Sequence, residues 1–282
     1  MKFHQPAADV FIPDGAPVAA ALARTTHLCI AAHQDDIEIM AHSAIAECYG
    51  RADRGFTGVV VTDGGGSPRA GQFAAMTDEE MKRVRRDEQR AAASLGRYAA
   101  QIQLAHPSRV VKDAKTSVVV DDLAALLAAM SPRVVFLHNP ADKHDTHIAV
   151  TLRAITAMRK LPHSLRPKKV IGCEVWRDLD WLLDADKVIM DCSAFPNLAG
   201  ALNGVFDSQI TGGKRYDLGV IGRRLANATF FDSHSSDKAT ALQWGMDLTP
   251  LIVDDKLDVI EYTTAYVERL KGDIKARIAK FA

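Results

Sequence analysis

The chain has 282 residues, 48% of them hydrophobic, and its 35 basic and 35 acidic side chains cancel at pH 7. That composition supports a packed core, and zero net charge gives no global pull toward nucleic acid or an anionic membrane. No apolar run reaches the ~18 residues of a membrane span, and His4, Asp9 and Asp14 break up the N-terminus where a secretory leader would need an apolar stretch.

Four cysteines, Cys29, Cys48, Cys173 and Cys192, form no Cys-x-x-Cys pair and read as free thiols of a cytoplasmic protein. In chain order, residues 27–32 read as a buried strand and 38–49 as the helix after it. Residues 57–62 form a second strand that ends in Asp63-Gly64-Gly65-Gly66-Ser67. A long helix follows over 77–95, with Thr77 as N-cap, Glu80 at capping-box spacing and Gly96 as its stop. Then come a short strand over 101–104, a helix over 121–130, a strand over 133–137, a helix over 147–159 and a strand over 169–176. Strands alternating with helices of ten or more residues predict an α/β fold, a mostly parallel sheet with helices on both faces. Residues 1–282 read as one domain, with a core over about 25–175 and a helix-rich C-terminal extension over about 176–282 that has few clean strands.

In such sheets the ligand site lies in the crevice beyond the carboxyl ends of the strands. Two polar clusters fall there. His33-Gln34-Asp35-Asp36 follows the first strand, and His138-Asn139-Pro140 follows the fourth and leads through Asp142, His144 and Asp145 to His147. His144 and His147 are three apart where a helix begins, so both can face one point. A catalytic zinc site needs three nitrogen or oxygen ligands and one open position. His33, Asp36 and His147 supply that set for one Zn²⁺ per chain, leaving Asp35 as general base and a protonated His144 to stabilise the oxyanion. Arg69 and Arg85, near the triple glycine, and the Trp176-Arg177-Asp178 segment are candidate substrate contacts. The triple glycine lacks the spacing of a nucleotide loop and reads as a place where backbone passes close to a ligand. Gly212-Gly213-Lys214-Arg215 reads as a solvated turn, and His234 as a residue outside the site.

These residues resemble the LmbE/PIG-L family of zinc-dependent N-deacetylases. The resemblance lies in Ala32-His33-Gln34-Asp35-Asp36, in Thr62-Asp63-Gly64, in Arg85, Glu88, Leu95 and Gly96, and in His144-Asp145-Thr146-His147. It covers roughly residues 25–175. It implies a Rossmann-like fold, a zinc site of the kind just derived, and hydrolysis of N-acetyl groups on small molecules, often aminosugar derivatives. It also implies a homo-oligomer. Gln34 stands where the family has proline, and Met40-Ala41-His42-Ser43 where a glycine pair opens the first helix. Thr146 replaces the second-motif aspartate, whose role falls to Asp142 or Asp145. His106-Pro107-Ser108-Arg109 stands where an aspartate often binds a sugar hydroxyl, which leaves room for a substrate other than the usual aminosugars. The alternative reading is a metal-dependent hydratase or lyase acting on a small carboxylic acid at the same site, with Arg69, Arg85 and Arg177 holding the acid.

Overall fold

The computed structural model describes residues 1–282. Its eight strands are β1 (Asp9–Phe11), β2 (His27–Ala31), β3 (Phe56–Thr62), β4 (Ala100–His106), β5 (Val134–His138), β6 (Lys169–Cys173), β7 (Lys187–Asp191) and β8 (Leu242–Asp247). They form one sheet in the order β1-β4-β3-β2-β5-β6-β8-β7. The run from β4 to β6 is parallel, while β1 pairs antiparallel with β4 and β8 runs antiparallel between β6 and β7. The helices are α1 (Val18–Ala23), α2 (Asp36–Met40), α3 (His42–Cys48), α4 (Asp78–Leu95), α5 (Ser108–Lys112) and α6 (Val118–Met130). After them come α7 (Asp145–Lys160), α8 (Pro196–Gly204), α9 (Asp207–Ile210), α10 (Tyr216–Phe230), α11 (Pro250–Val253) and α12 (Val259–Ala279). None of these helices is long and apolar enough to cross a membrane.

Alternation along β2 shows why the sheet is covered on both faces. Leu28, Ile30 and Ala32 enter one apolar cluster, together with Leu123 and Leu127 of α6 and Val150 and Ala154 of α7. Cys29 and Ala31 point the other way, to Ile37, Ile45, Ala92 and Leu202 of α2, α3, α4 and α8. A strand buried on both faces has no polar side to show, so its sequence reads as an apolar run. All four cysteines are buried, and burial pushes the Cys29 and Cys173 thiols well above the usual range.

The chain leaves β2 for β3 and β4 on one side, then returns to place β5 on the other side of β2. The order therefore reverses between β2 and β5, and the crevice at such a switch point is where α/β sheets place their ligands. The loops after β2 and β5 meet there.

Two expectations are corrected. The helix read over 38–49 is broken at Ala41 into α2 and α3. Arg224 donates to the carbonyls of Glu38 (2.9 Å) and Ile39 (2.8 Å), and Gln243 also donates to Ile39 (3.0 Å), so distant side chains compete for groups a continuous helix would use. The C-terminal extension is less purely helical than its sequence suggests, because β7 and β8 extend the sheet beyond β6. Gln243 and Gly245 interrupt the apolar pattern of β8, yet both lie in the buried stretch of that strand.

The long helix α4 forms as read. Thr77 accepts from the Glu80 backbone N–H (3.3 Å), while the Glu80 carboxylate accepts from the Thr77 N–H (2.8 Å). Thr77→Ala removes one half of this box and should lower stability by about 1 kcal/mol. Thermal melting checks this, and an unchanged midpoint would show that the box contributes nothing.

Candidate metal centre

The turn from β2 into α2 carries His33, Asp35 and Asp36, and the loop from β5 to α7 carries His138, Asp142, His144 and His147. Three donor atoms from these segments converge. His33 Nδ1 lies 3.1 Å from Asp36 Oδ2 and 3.2 Å from His147 Nε2, and His147 Nε2 lies 3.3 Å from Asp36 Oδ2. Donors bound to zinc at ~2.0–2.1 Å in a tetrahedron stand ~3.3–3.4 Å apart, so these separations suit a small tetrahedral ion. Asp36 and His147 are buried, whereas the His33 side chain is 24% exposed on the open side of the cluster.

The surrounding hydrogen bonds fix which nitrogens are free. His147 Nδ1 lies 2.9 Å from Asp142 Oδ2, so its N–H donates there and the Nε2 lone pair faces the cluster. Asp142 is held in turn by the backbone N–H groups of Lys143 (2.6 Å) and Arg177 (3.0 Å), both donating to Oδ1. Asp142 thus occupies the position beside His147 left open by Thr146. His138 also faces Asp36, at 3.6 Å, but its Nε2 accepts the Ala32 N–H at 2.9 Å and has no lone pair left for a metal. His33, His144 and His147 form a second possible donor group, so His144 stands at the cluster's edge.

Electrostatics separate the two adjacent carboxylates. Burial alone would raise both. Asp36 is held well below the usual carboxylate range by His147 and His138, whereas burial pushes Asp35 up to about 7 against the opposing pull of Arg85. Asp35 sits at φ 91°, rare for a residue with a side chain. Three contacts hold it there. Its N–H donates to Gln89 Oε1 (3.2 Å), Arg85 Nη2 donates to its Oδ2 (3.2 Å), and Arg85 also donates to the preceding Gln34 carbonyl. Strained backbone fixed by its surroundings in this way is a recurrent feature of working sites.

A cleft of about 290 Å³ opens over the cluster. Gly64 and Gly66 form part of its wall; Gly64 has φ +74°, and a Cβ there would lie 2.6 Å from Gln34 Oε1. Of the residues singled out from sequence, His33, Asp35, Asp36, His144, Arg85 and Trp176 line this cleft, and His147 lies beneath it. Trp176 stacks on His144, with ring centroids 6.3 Å apart. Arg69, Arg177 and Asp178 are not brought to the wall. Arg69 folds onto the Gly65 carbonyl and Asp78, and Arg177 and Asp178 are exposed, with only the Arg177 backbone reaching the site through Asp142. Proximity to a strand end does not set side-chain direction. The opposite correction applies to Lys214, expected in a solvated turn, which lines the cleft 5.0 Å above the Trp176 ring. His234 lies in an exposed turn capped by Asp232. Sequence reasoning gave no role to His138 or Tyr216; the position of His138 at the very end of β5 was the available signal for the first.

Fold and cluster together define a Rossmann-like α/β protein with histidine and carboxylate donors gathered at the switch point of its sheet. Residues 28–158 match the PIG-L family, described as GlcNAc-PI de-N-acetylase, and the chain carries a PIG-L (LmbE-like) family domain that includes every residue of the cluster. No curated protein matches the chain. Solved structures do. A conserved protein from Thermus thermophilus has 18% identity and a TM-score of 0.63, over 79% of this chain and 94% of its own. The 4-carboxy-2-hydroxymuconate hydratase of Pseudomonas putida has 18% identity and a TM-score of 0.62, over 79% and 96%. The N,N'-diacetylchitobiose deacetylase of Pyrococcus horikoshii has 16% identity and a TM-score of 0.62, over 86% and 90%. These likenesses establish the fold, and the same scaffold carries both a deacetylase and a hydratase.

Proposed function

We propose that the chain is a metal-dependent amide hydrolase that removes an N-acyl group from a small molecule, with aminosugar derivatives as the leading substrate class. One zinc ion would be held by His33, Asp36 and His147, through the converging Nδ1, Oδ2 and Nε2 atoms. The observation that carries this reading is the convergence of those three donors at 3.1–3.3 Å, with Asp142 fixing the tautomer of His147. When bound, zinc polarises the acyl carbonyl and makes water acidic enough to attack near neutral pH.

The chain's own groups supply the proton movements. Asp35, rigidly placed by Arg85 and Gln89, takes a proton from water in the cleft and returns it to the departing amine. A carboxyl near 7 is suited to both transfers. His144, expected to be protonated, is assigned here as a neutral imidazole, since burial and then the neighbouring His147 and His33 push it down to about 4. It serves as an N–H donor to the developing oxyanion, a role that needs no positive charge. Trp176, stacked on His144, gives the substrate a flat face.

The hydratase or lyase reading is favoured by one observation, the likeness to the muconate hydratase. Of the arginines expected to support it, only Arg85 lines the cleft, and it is engaged by Asp35; Arg69 and Arg177 turn away. Zinc content of the purified chain, measured with acetate release from N-acetylglucosamine, tests the hydrolase. The expected result is about one zinc per chain and chelator-sensitive acetate release; a chain that binds no zinc overturns the proposal. In the same assay Asp142→Ala should weaken zinc binding by about 10–100-fold, because His147 loses its orienting partner. Unchanged affinity would remove Asp142 from that role.

A further inference from the structure

Past the metal cluster the cleft continues into a second cavity of about 170 Å³, several times the ~30 Å³ share of one water molecule. Asp35, Asp36, Trp176 and Tyr216 line both spaces, so the second cavity opens beside the position where the acyl group must sit. Ile39, Val175 and Val220 give it apolar walls. Its far wall includes two consecutive arginines of α10, Arg223 and Arg224.

Neither arginine makes a direct ion pair with a carboxylate, although Glu174 lies near enough for its charge to act on both. Arg224 is buried and spends Nη2 on the carbonyls of Glu38 and Ile39, while its Nε and Nη1 have no partner. Arg223 Nη1 donates to the Val175 carbonyl (2.6 Å). The acids of the cavity are engaged elsewhere. Glu174 accepts from the Leu179 N–H (2.9 Å), the Trp244 N–H (2.9 Å) and Asn227 Nδ2 (3.2 Å). Asp35 is engaged by Arg85, and Asp36 by the histidines. A buried guanidinium with unfilled donors is costly unless an anion completes it. A methyl group gains nothing from such a wall, and the cavity is larger than a methyl requires.

We infer that this cavity seats the acyl arm of the substrate and that the arm ends in a carboxylate held by Arg223 and Arg224, making the substrate class N-succinyl-type amides. The inference rests on the hydrolase reading above and specifies its acyl group. The methylenes lie along Ile39, Val175 and Val220, and the terminal carboxylate meets half-buried Arg223, which spends only Nη1 on the Val175 carbonyl, with the charge of buried Arg224 beside it. The reaction stays balanced as a hydrolysis. The oxygen of water bonds to the acyl carbon, the C–N bond breaks, the amine leaves with a proton from water, and succinate is the second product.

Competing hydrolysis of N-succinylglucosamine and N-acetylglucosamine by the zinc-loaded full chain tests this. The expected kcat/KM is at least about tenfold higher for the succinyl amide, and Arg223→Gln should bring the ratio close to one. Arg224→Lys, which keeps a donor for the Glu38 and Ile39 carbonyls, should reduce the ratio in the same direction. A wild-type preference for acetyl, or a ratio unchanged in Arg223→Gln, overturns the inference while leaving the hydrolase intact. If neither amide is cleaved the hydrolase reading fails, and the cavity is then judged by binding alone. Succinate should raise the melting temperature at concentrations at least about tenfold below those acetate needs, with the advantage lost in Arg223→Gln; succinate no better than acetate overturns the carboxylate site.

Discussion

Asp35→Asn should keep zinc bound and lower turnover by about 10²–10⁴-fold, the usual contribution of a positioned acid–base group. The substitution removes the proton acceptor and none of the three converging donors. Asparagine is preferable to alanine here because position 35 has φ 91°. Asparagine tolerates positive φ better than most residues, whereas alanine would add a backbone strain of ~1–2 kcal/mol and blur the result. Gln89 can still accept the backbone N–H of residue 35, so the turn should hold. Zinc content together with kcat separates the outcomes. Near wild-type turnover would remove Asp35 from catalysis, and loss of zinc would show that it helps hold the metal.

His147→Ala should have the opposite signature, a loss of the metal itself. His147 Nε2 is the donor shared between His33 and Asp36, and its Nδ1–H partners buried Asp142. The affinity loss should therefore exceed the ~10–100-fold expected from removing an outer partner alone. Alanine also leaves buried Asp142 without the Nδ1–H donor it accepts from, and a buried polar group stripped of its partner costs about 1–3 kcal/mol, more for a charged one. His147→Gln is the useful companion, since its amide can still donate toward Asp142. Equilibrium dialysis with zinc on both folded variants decides the matter, and wild-type affinity in either would exclude His147 as a ligand.

Legibility in the sequence followed the range of the interactions involved. The central strands and α4 could be read directly because their signals are local: apolar runs bounded by turns, and a Thr77–Glu80 capping box. The break at Ala41 could not, because Arg224 and Gln243 reach it from about two hundred residues away. The outer strands were hidden for a related reason. β1 has three residues and pairs only with β4, and β7, at the far edge, buries only Met190, so neither carries the continuous apolar pattern of a central strand.

The site divides in the same way. His33, Asp35, Asp36, His144 and His147 stand at or just beyond strand ends, where fold class alone says that ligands bind. Whether Asp142 or Asp145 contacts His147 depends on loop geometry that no spacing rule provides, and the structure selects Asp142. Arg223 and Arg224 reach the cavity from a helix in the C-terminal region, which offered no motif to single them out. Arg69, Arg177 and Asp178 show the converse failure, residues near the right strand ends whose side chains turn elsewhere.

The burial of Cys29, Cys48, Cys173 and Cys192 provides the chain with native reporters of local opening. Cys29 and Cys173 lie in β2 and β6, either side of β5, while Cys48 ends α3 and Cys192 follows β7. A thiol reagent attacks the thiolate, and these thiols are both covered and hard to ionise, with Cys48 pushed up to about 12 by burial. Alkylation of each cysteine therefore measures how often its own segment opens rather than how reactive its sulfur is. Mass spectrometry of the labelled peptides would rank the sheet centre against its β7 edge in a single time course.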